Sequence, residues 1–207
     1  FTSPYLGRQP VFRISMADGA VTKVTEGDYD MGSLQLRNNT LVAGIQSMAR
    51  PTEVAKVDMA DGQFSMITDV NGHIYESIKM GQSEERYIKT KDGKDLQLWI
   101  IYPPDFDPAK KYPALLYCKG GPQGPLGQSW SYRWNYQMMA ANGYIVVAVN
   151  RRGNSGFGSY WREQISGDYG GKNMQDYLDG IDAMAKEPFV DKDRLGAVGA
   201  SYGGYSV

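Results

Sequence analysis

The chain has 207 residues, 42% of them hydrophobic and 22% charged, with a formal net charge of −1. That length is enough to bury the core of one large domain or two small ones. The near-balance of charge gives no electrostatic drive towards nucleic acid or an anionic membrane, so neither is an expected partner. The longest apolar runs, such as Tyr144 to Val149, fall far short of the roughly 20 residues that cross a bilayer. The residues from Phe1 onward lack the basic and apolar segments of a secretory signal. Phe1 is not a natural initiator, so the start is read as a cut, and so is the end at Val207. Cys118 is the single cysteine and His73 the single histidine. An internal disulfide and a Cys/His zinc set are therefore both excluded, and neither metal nor cofactor is expected.

Two segments repeat near the N-terminus, starting 43 residues apart at Val11 and Val54. They share Met-Ala-Asp-Gly at Met16–Gly19 and Met59–Gly62, and each closes on threonine, Thr25 or Thr68. Each reads as a hairpin with Asp18-Gly19 or Asp61-Gly62 supplying a positive-φ turn. The spacing falls within the roughly 40–45 residues of a four-stranded propeller blade. Two unrelated hairpins sharing a turn are the plainer reading. Between the copies, residues 33–37 and 41–45 alternate as a strand pair turned at Asn38-Asn39. Residues 1–82 are accordingly expected to be the C-terminal blades of a β-propeller, with further blades upstream, because one and a half blades cannot close a ring.

The pattern changes from about Ser83. Residues 86–91 and 96–102 read as paired strands around Asp92-Gly93, and residues 114–118 as a third strand. A loop of glycine and proline, Gly120 to Pro125, follows, then a helix over 133–141 and a buried strand over 144–149. Met174, Tyr177, Leu178, Ile181 and Met184 fall on one apolar helix face. Residues 194–198 read as a buried parallel strand. Strands alternating with helices predict an α/β domain over 83–207, a mainly parallel sheet with helices on both faces. Glycine, at 25 residues against about 14 expected from average usage, is concentrated between 120 and 171, as in loops that bring backbone close to a ligand.

The chemistry centres on Gly199-Ala200-Ser201-Tyr202-Gly203. This is a G-x-S-x-G nucleophile elbow, a sharp strand-to-helix turn that exposes a serine hydroxyl. Serine needs a neighbouring base to become a nucleophile, and in this arrangement the acid and base follow it in the chain. His73 precedes it and reads as a turn or packing residue. Backbone N–H groups would stabilise the oxyanion, one from Tyr202 and one near Gly120 in the loop after the third strand. No phosphate-loop pattern competes for that glycine-rich segment. Arg151 and Arg152, at the carboxyl end of a buried strand, either bind a substrate carbonyl or carboxylate or brace loops. Trp130 belongs to an aromatic group with Tyr132, Trp134 and Tyr136, read as core packing or a substrate wall. Glu84-Glu85 reads as an exposed acidic pair or an anchor for a peptide amino group.

These motifs resemble the prolyl oligopeptidase family of serine peptidases. The resemblance rests on Lys119-Gly120-Gly121-Pro122, Asn150-Arg151-Arg152-Gly153 with Ser155-Gly156-Phe157-Gly158, and Ser201-Tyr202-Gly203-Gly204-Tyr205. Within the family the first two segments look most like the bacterial dipeptidyl-peptidase V type. The resemblance implies a β-propeller followed by an α/β-hydrolase domain, here its N-terminal half, stopping after the elbow. It makes Ser201 the nucleophile, the Tyr202 N–H an oxyanion donor and the Tyr202 ring a wall of the S1 pocket. Lys119 stands where some relatives carry a tyrosine whose hydroxyl serves the oxyanion. The implied activity is release of dipeptides from peptides with free N-termini, in an exported compartment, and a homodimer of the intact protein is compatible with it. The triad aspartate and histidine are not in this chain, so these residues alone are expected to be inactive. An esterase on the same fold, and a non-catalytic peptide-binding scaffold, are the alternative readings.

Overall fold

The computed structural model describes residues 1–207, which pack as two units. Unit 1 comprises Phe1–Lys79 and Gly127–Trp134; unit 2 comprises Met80–Leu126 and Asn135–Val207. The expected boundary at residue 82 thus lies close to the first crossing, but Gly127–Trp134 packs with the N-terminal unit rather than the α/β one.

Unit 1 is built from antiparallel strands. Strands β1 (Phe12–Ile14) and β2 (Val21–Lys23) form a hairpin. Strands β3 (Asp30–Arg37), β4 (Thr40–Ser47), β5 (Arg50–Val57) and β6 (Phe64–Met66) form a four-stranded meander in chain order. Asn38 and Asn39 both adopt positive φ, 47° and 60°. That is the mirror-image turn whose twist suits a two-residue hairpin, and asparagine tolerates it. The sequence repeat is also a structural one. Gly19 N donates to Ser15 O and Gly62 N to Asp58 O, each at 2.9 Å. Ser15 N donates to Ala20 O and Asp58 N to Gln63 O, each at 2.8 Å. Positive φ falls on the glycine alone in each copy, Gly19 and Gly62. Alternation along β5 turns Ala55 and Val57 inward, where they pack with Val11, Met31, Leu41, Ala43 and Ile45. A single short helix, α1 (Gly72–Tyr75), follows.

Unit 2 is an α/β layer structure. Its strands are β7 (Ser83–Lys89), β8 (Asp95–Ile101), β9 (Tyr112–Cys118), β10 (Ile145–Val149) and β11 (Val190–Gly199), in the order β11-β9-β10-β8-β7. The pairs β11–β9 and β9–β10 are parallel, whereas β10–β8 and β8–β7 are antiparallel. The sheet is therefore mixed, not mainly parallel. The tight turn at Asp92-Gly93 forces β7 and β8 to run oppositely, and β10 inserts between β8 and β9 instead of beside β9 alone. Its helices are α2 (Tyr136–Ala141), α3 (Ser159–Glu163), α4 (Lys172–Met184) and α5 (Tyr202–Ser206). Leu98, Ile100, Leu116, Val147 and Val149 pack with Tyr177, Ile181 and Met184 of α4. The opposite parity of residue, Tyr117, meets Tyr136 of α2 edge-on at 4.9 Å. Successive strand residues face opposite ways, so α4 and α2 cover opposite faces.

Two further expectations need correction. The helix after the glycine loop begins at Tyr136, because Asn135 caps it by accepting from Gln137 N and Met138 N. On α4 the buried stripe runs through Gly180, where a Cβ would stand 2.7 Å from Val149 Cγ2. Close approach at Gly180 turns Leu178 outward, leaving it 52% exposed. Strand β11 pairs in parallel with β9, as its sequence predicts.

Within unit 1, Asp30 sits among the backbone N–H groups of Gln9 and Gln128, and burial pushes its carboxyl up to about 6 despite them. A carboxyl raised above its unfolded value favours the protonated folded form. Stability is therefore greatest below pH 4 as far as this group is concerned and falls as pH rises through about 6, by about 3 kcal/mol in all. Asp30→Asn removes that dependence. Its thermal midpoint, relative to that of the native chain, is expected to rise between pH 4 and pH 7.5; a constant difference contradicts the assignment.

Candidate active site

The end of β11 carries the site. Gly199 leads into Ser201, whose backbone sits at φ 58° and ψ −127°. Few residues other than glycine adopt such a conformation, and it costs on the order of 1–3 kcal/mol. The turn is stabilised by Gly203 N donating to Ala200 O at 2.9 Å and Tyr205 N donating to Ser201 O at 3.1 Å. Ser201 is exposed while Tyr202 and Gly203 behind it are buried.

Backbone packs directly on backbone around this turn. A Cβ on Gly199 would lie 2.3 Å from Gly203 O, and one on Gly203 would lie 2.0 Å from Cys118 O. The loop after β9 closes on the same place: a Cβ on Gly120 would stand 2.6 Å from Ala200 O and 3.5 Å from Ser201 Cβ. Gly120, Ser201 and Tyr202 are thus brought together. The Tyr202 N–H opens α5, among the first-turn donors that no earlier carbonyl of the helix can take. Cys118 ends β9 immediately beneath, buried, its thiol pushed up to about 11 by burial. It is a packing residue.

Residues 130–207 match the prolyl oligopeptidase family. Residues 130–207 belong to that family. Over 197 residues the chain is 47% identical to a dipeptidyl-peptidase 5 of Porphyromonas gingivalis, covering 95% of this chain and 29% of that protein. Among solved structures it superposes on an acylaminoacyl peptidase of Pyrococcus horikoshii with a TM-score of 0.87 and 29% identity, covering 100% of this chain and 32% of the other. It superposes on dipeptidyl peptidase 4 of Porphyromonas gingivalis with a TM-score of 0.77 and 26% identity, covering 97% of this chain and 29% of the other. The chain therefore spans about a third of the length of these relatives.

The remaining expected site residues divide. Arg152 is buried, and Nε, Nη1 and Nη2 all donate to carboxylates, of Asp176 at 2.6–3.1 Å and of Asp92 at 2.7 and 2.9 Å. The bonds to Arg152 hold Asp92 well below the usual carboxylate range, whereas burial raises Asp176 against the pull of the same guanidinium. Arg152 braces the β7–β8 turn to α4; it does not present itself to a substrate. Arg151 is also fully buried, with Nε donating to Tyr177 Oη and Nη1 to Pro122 O, each at 3.0 Å. Trp130 lies in unit 1, its backbone N–H donating to Gln46 Oε1 and its ring meeting Tyr75 and Tyr132 edge-on. It is not on a helix, because α2 starts six residues later. Glu84 accepts from Tyr102 Oη at 2.5 Å and Glu85 from Gln97 Nε2 at 2.8 Å, so both are engaged within the β7–β8 hairpin and its neighbours.

Tyr177, Asp176 and Asn173 were absent from the expected site, yet all three hold it. Asn173 Nδ2 donates to Tyr202 Oη, which itself donates to Tyr169 O at 2.7 Å. One signal was available. Asp176 and Asn173 sit on the buried face of α4, and a buried acid calls for a cation.

Because the Gly203 contact is with a backbone carbonyl, Gly203→Ala cannot be absorbed by a side-chain rotation. In the intact protein it is expected to slow fluorophosphonate labelling of Ser201 at least tenfold, with a stability loss of about 1–3 kcal/mol from overpacking. Native labelling kinetics in the variant would show that the elbow tolerates the shift.

Proposed function

We propose that the intact protein containing this chain is a serine exopeptidase that releases dipeptides from peptide N-termini through an acyl-enzyme on Ser201. The observation that carries the reading is an exposed serine at φ 58° wedged between three glycines that admit no Cβ, beside the Gly120 loop. In this reading the Ser201 hydroxyl oxygen attacks the carbonyl carbon of the substrate's second residue, its proton passing to a base. The tetrahedral oxyanion is held by the N–H of Tyr202 and a backbone N–H near Gly120. The C–N bond breaks, the proton is delivered to the leaving amine, and water then hydrolyses the dipeptidyl ester with return of the serine proton. No metal or cofactor takes part.

Unit 1 supplies the last blades of a β-propeller in this reading, supported by the four-stranded meander and by hairpins that repeat bond for bond 43 residues apart. Unit 2 supplies the first half of an α/β-hydrolase domain. His73, the single histidine, is exposed on α1 in unit 1. The base and its aspartate are assigned to the remainder of the intact protein. The acyl pocket is assigned to the Tyr202 ring, and the partner is a peptide with a free N-terminus.

Ser201→Ala in the intact protein is expected to abolish turnover of dipeptidyl amides while leaving the melting profile unchanged. Full amide turnover in that variant rejects the reading, and turnover of esters alone by the native protein replaces it with an esterase. A polypeptide limited to residues 1–207 is expected to react with a phosphonate probe more slowly than the intact protein by about 10⁴-fold or more, the order lost when a serine enzyme is deprived of its base. Equal labelling rates would place the activating group within these residues.

A further inference from the structure

We propose that Arg151 is a positioning residue that sets both oxyanion donors at once, an inference that rests on Ser201 being the acyl-transfer nucleophile. Arg151 follows β10 by two residues and is fully buried. Its Nη1 donates to Pro122 O at 3.0 Å. Its Nε donates to Tyr177 Oη at 3.0 Å, and that hydroxyl reaches Lys119 O at 3.5 Å. Pro122 and Lys119 flank Gly120 and Gly121, so one guanidinium ties both ends of the loop that carries the first donor. A further bond from Nη1 to Arg152 O at 2.8 Å fixes the plane of the group.

The second donor belongs to Tyr202, and the face of the same guanidinium lies 4.7 Å from the centre of the Tyr202 ring. That ring is anchored at its far end by Tyr169 O and Asn173, so it cannot swing away from the cation. The chain around Arg151 is shaped for this reach. A Cβ at Gly153 would stand 2.7 Å from Arg151 Nη1 and 2.7 Å from Pro122 O, in the path of their bond. Gly153 also has a φ of 99°, a conformation that side chains disfavour. Lysine could keep the charge over the ring but could not span two acceptors with a flat fork. Arg151 touches no reacting atom and moves no proton. It acts by fixing the distance between two N–H groups that must converge on one oxygen.

The test is steady-state kinetics of the intact protein on a dipeptidyl amide, with Arg151→Met, Arg151→Lys, Tyr177→Phe, Arg151→Met/Tyr177→Phe and Ser201→Ala measured side by side. Displacement of an oxyanion donor by a fraction of an ångström to an ångström is expected to lower kcat of both Arg151 variants about 10–100-fold, with KM unchanged because the loss is confined to the transition state. Tyr177→Phe lowers kcat less, and it adds nothing in the Arg151→Met background, because the two groups act through one chain of bonds. A rise in KM at constant kcat makes Arg151 a substrate contact and overturns the proposal. A lower melting temperature with native kcat makes it a structural brace and also overturns it. Should Arg151→Met fail to fold, Tyr177→Phe decides, since it keeps the ring: native kcat there overturns the proposal. Turnover that survives Ser201→Ala removes the acyl-transfer reading, and the inference with it. Turnover lost in Ser201→Ala but native in the arginine variants removes the inference alone.

Discussion

Backbone touching backbone at the end of β11 is the constraint from which the rest of unit 2 follows. Gly199 lies against Gly203, Gly203 against Cys118 O, and Gly120 against Ala200 O, each closer than any Cβ permits. These contacts leave the chain no room to turn gradually, so the strain falls on Ser201, the residue between strand and helix. A penalty of a few kcal/mol there is sustained because β10 is buried along its length and β9 is buried at the end that meets the turn. Ile145, Val147 and Val149 are fully enclosed, and full burial of an aliphatic side chain contributes about 1.5–3 kcal/mol. The exposed hydroxyl is thus a consequence of a rigid floor.

Two neighbouring arginines divide the work of holding that floor together. Arg152 is neutralised by Asp92 and Asp176, and Asp176 also accepts from Arg152 N at 2.7 Å. Such a buried ion group adds little net stability compared with a well-packed apolar one. What it supplies is geometry: the β7–β8 turn, the loop after β10 and α4 can meet in one arrangement only. Arg151 bonds instead to neutral oxygens, those of Tyr177, Pro122 and Arg152. Its charge is stacked on the faces of Tyr177 and Tyr202. The same sequence dipeptide therefore yields one residue that fixes the scaffold and one whose contacts reach the loop after β9 and the Tyr202 ring.

What could be read beforehand was local. The turn at Asn38-Asn39, the paired Asp-Gly hairpins and the elbow each depend on a handful of adjacent residues with special φ preferences, and each appears where the residues call for it. Strand direction was not readable, because the antiparallel β8–β10 pairing joins segments more than forty residues apart and leaves no local trace. Helix α4 was located by its periodicity, yet its rotation was misjudged: Gly180 contributes nothing to an apolar count but decides which face can approach Val149. The polar members of the site were missed for the opposite reason. Hydrophobicity gives Asp176 and Asn173 no weight and Tyr177 only an apolar one, whereas Asp176 and Tyr177 accept hydrogen bonds from the loop after β10 and Asn173 donates to Tyr202. Trp130 and Trp134 stand four residues apart, a helical spacing, but the Asn135 cap starts the helix after both and the segment packs with unit 1.

Lys119 cannot copy a hydroxyl, but it bears on the backbone of the loop to which the proposed reading assigns an oxyanion donor. Its ammonium turns back onto its own loop, with Nζ donating to Gly120 O at 3.2 Å. Burial, and the neighbouring charge of Arg151, lower its pKa. The carbonyl of Gly120 and the N–H of Gly121 are two ends of one peptide group. A cation drawn to the oxygen pulls electron density away from the nitrogen and makes that N–H a stronger donor, an effect that grows where the surroundings are of low dielectric. Lysine at this position therefore exerts its charge through the backbone. In the proposed reading a backbone N–H of this loop serves in place of a side-chain donor, and the close packing of Gly120 against Ala200 O sets the loop beside the elbow.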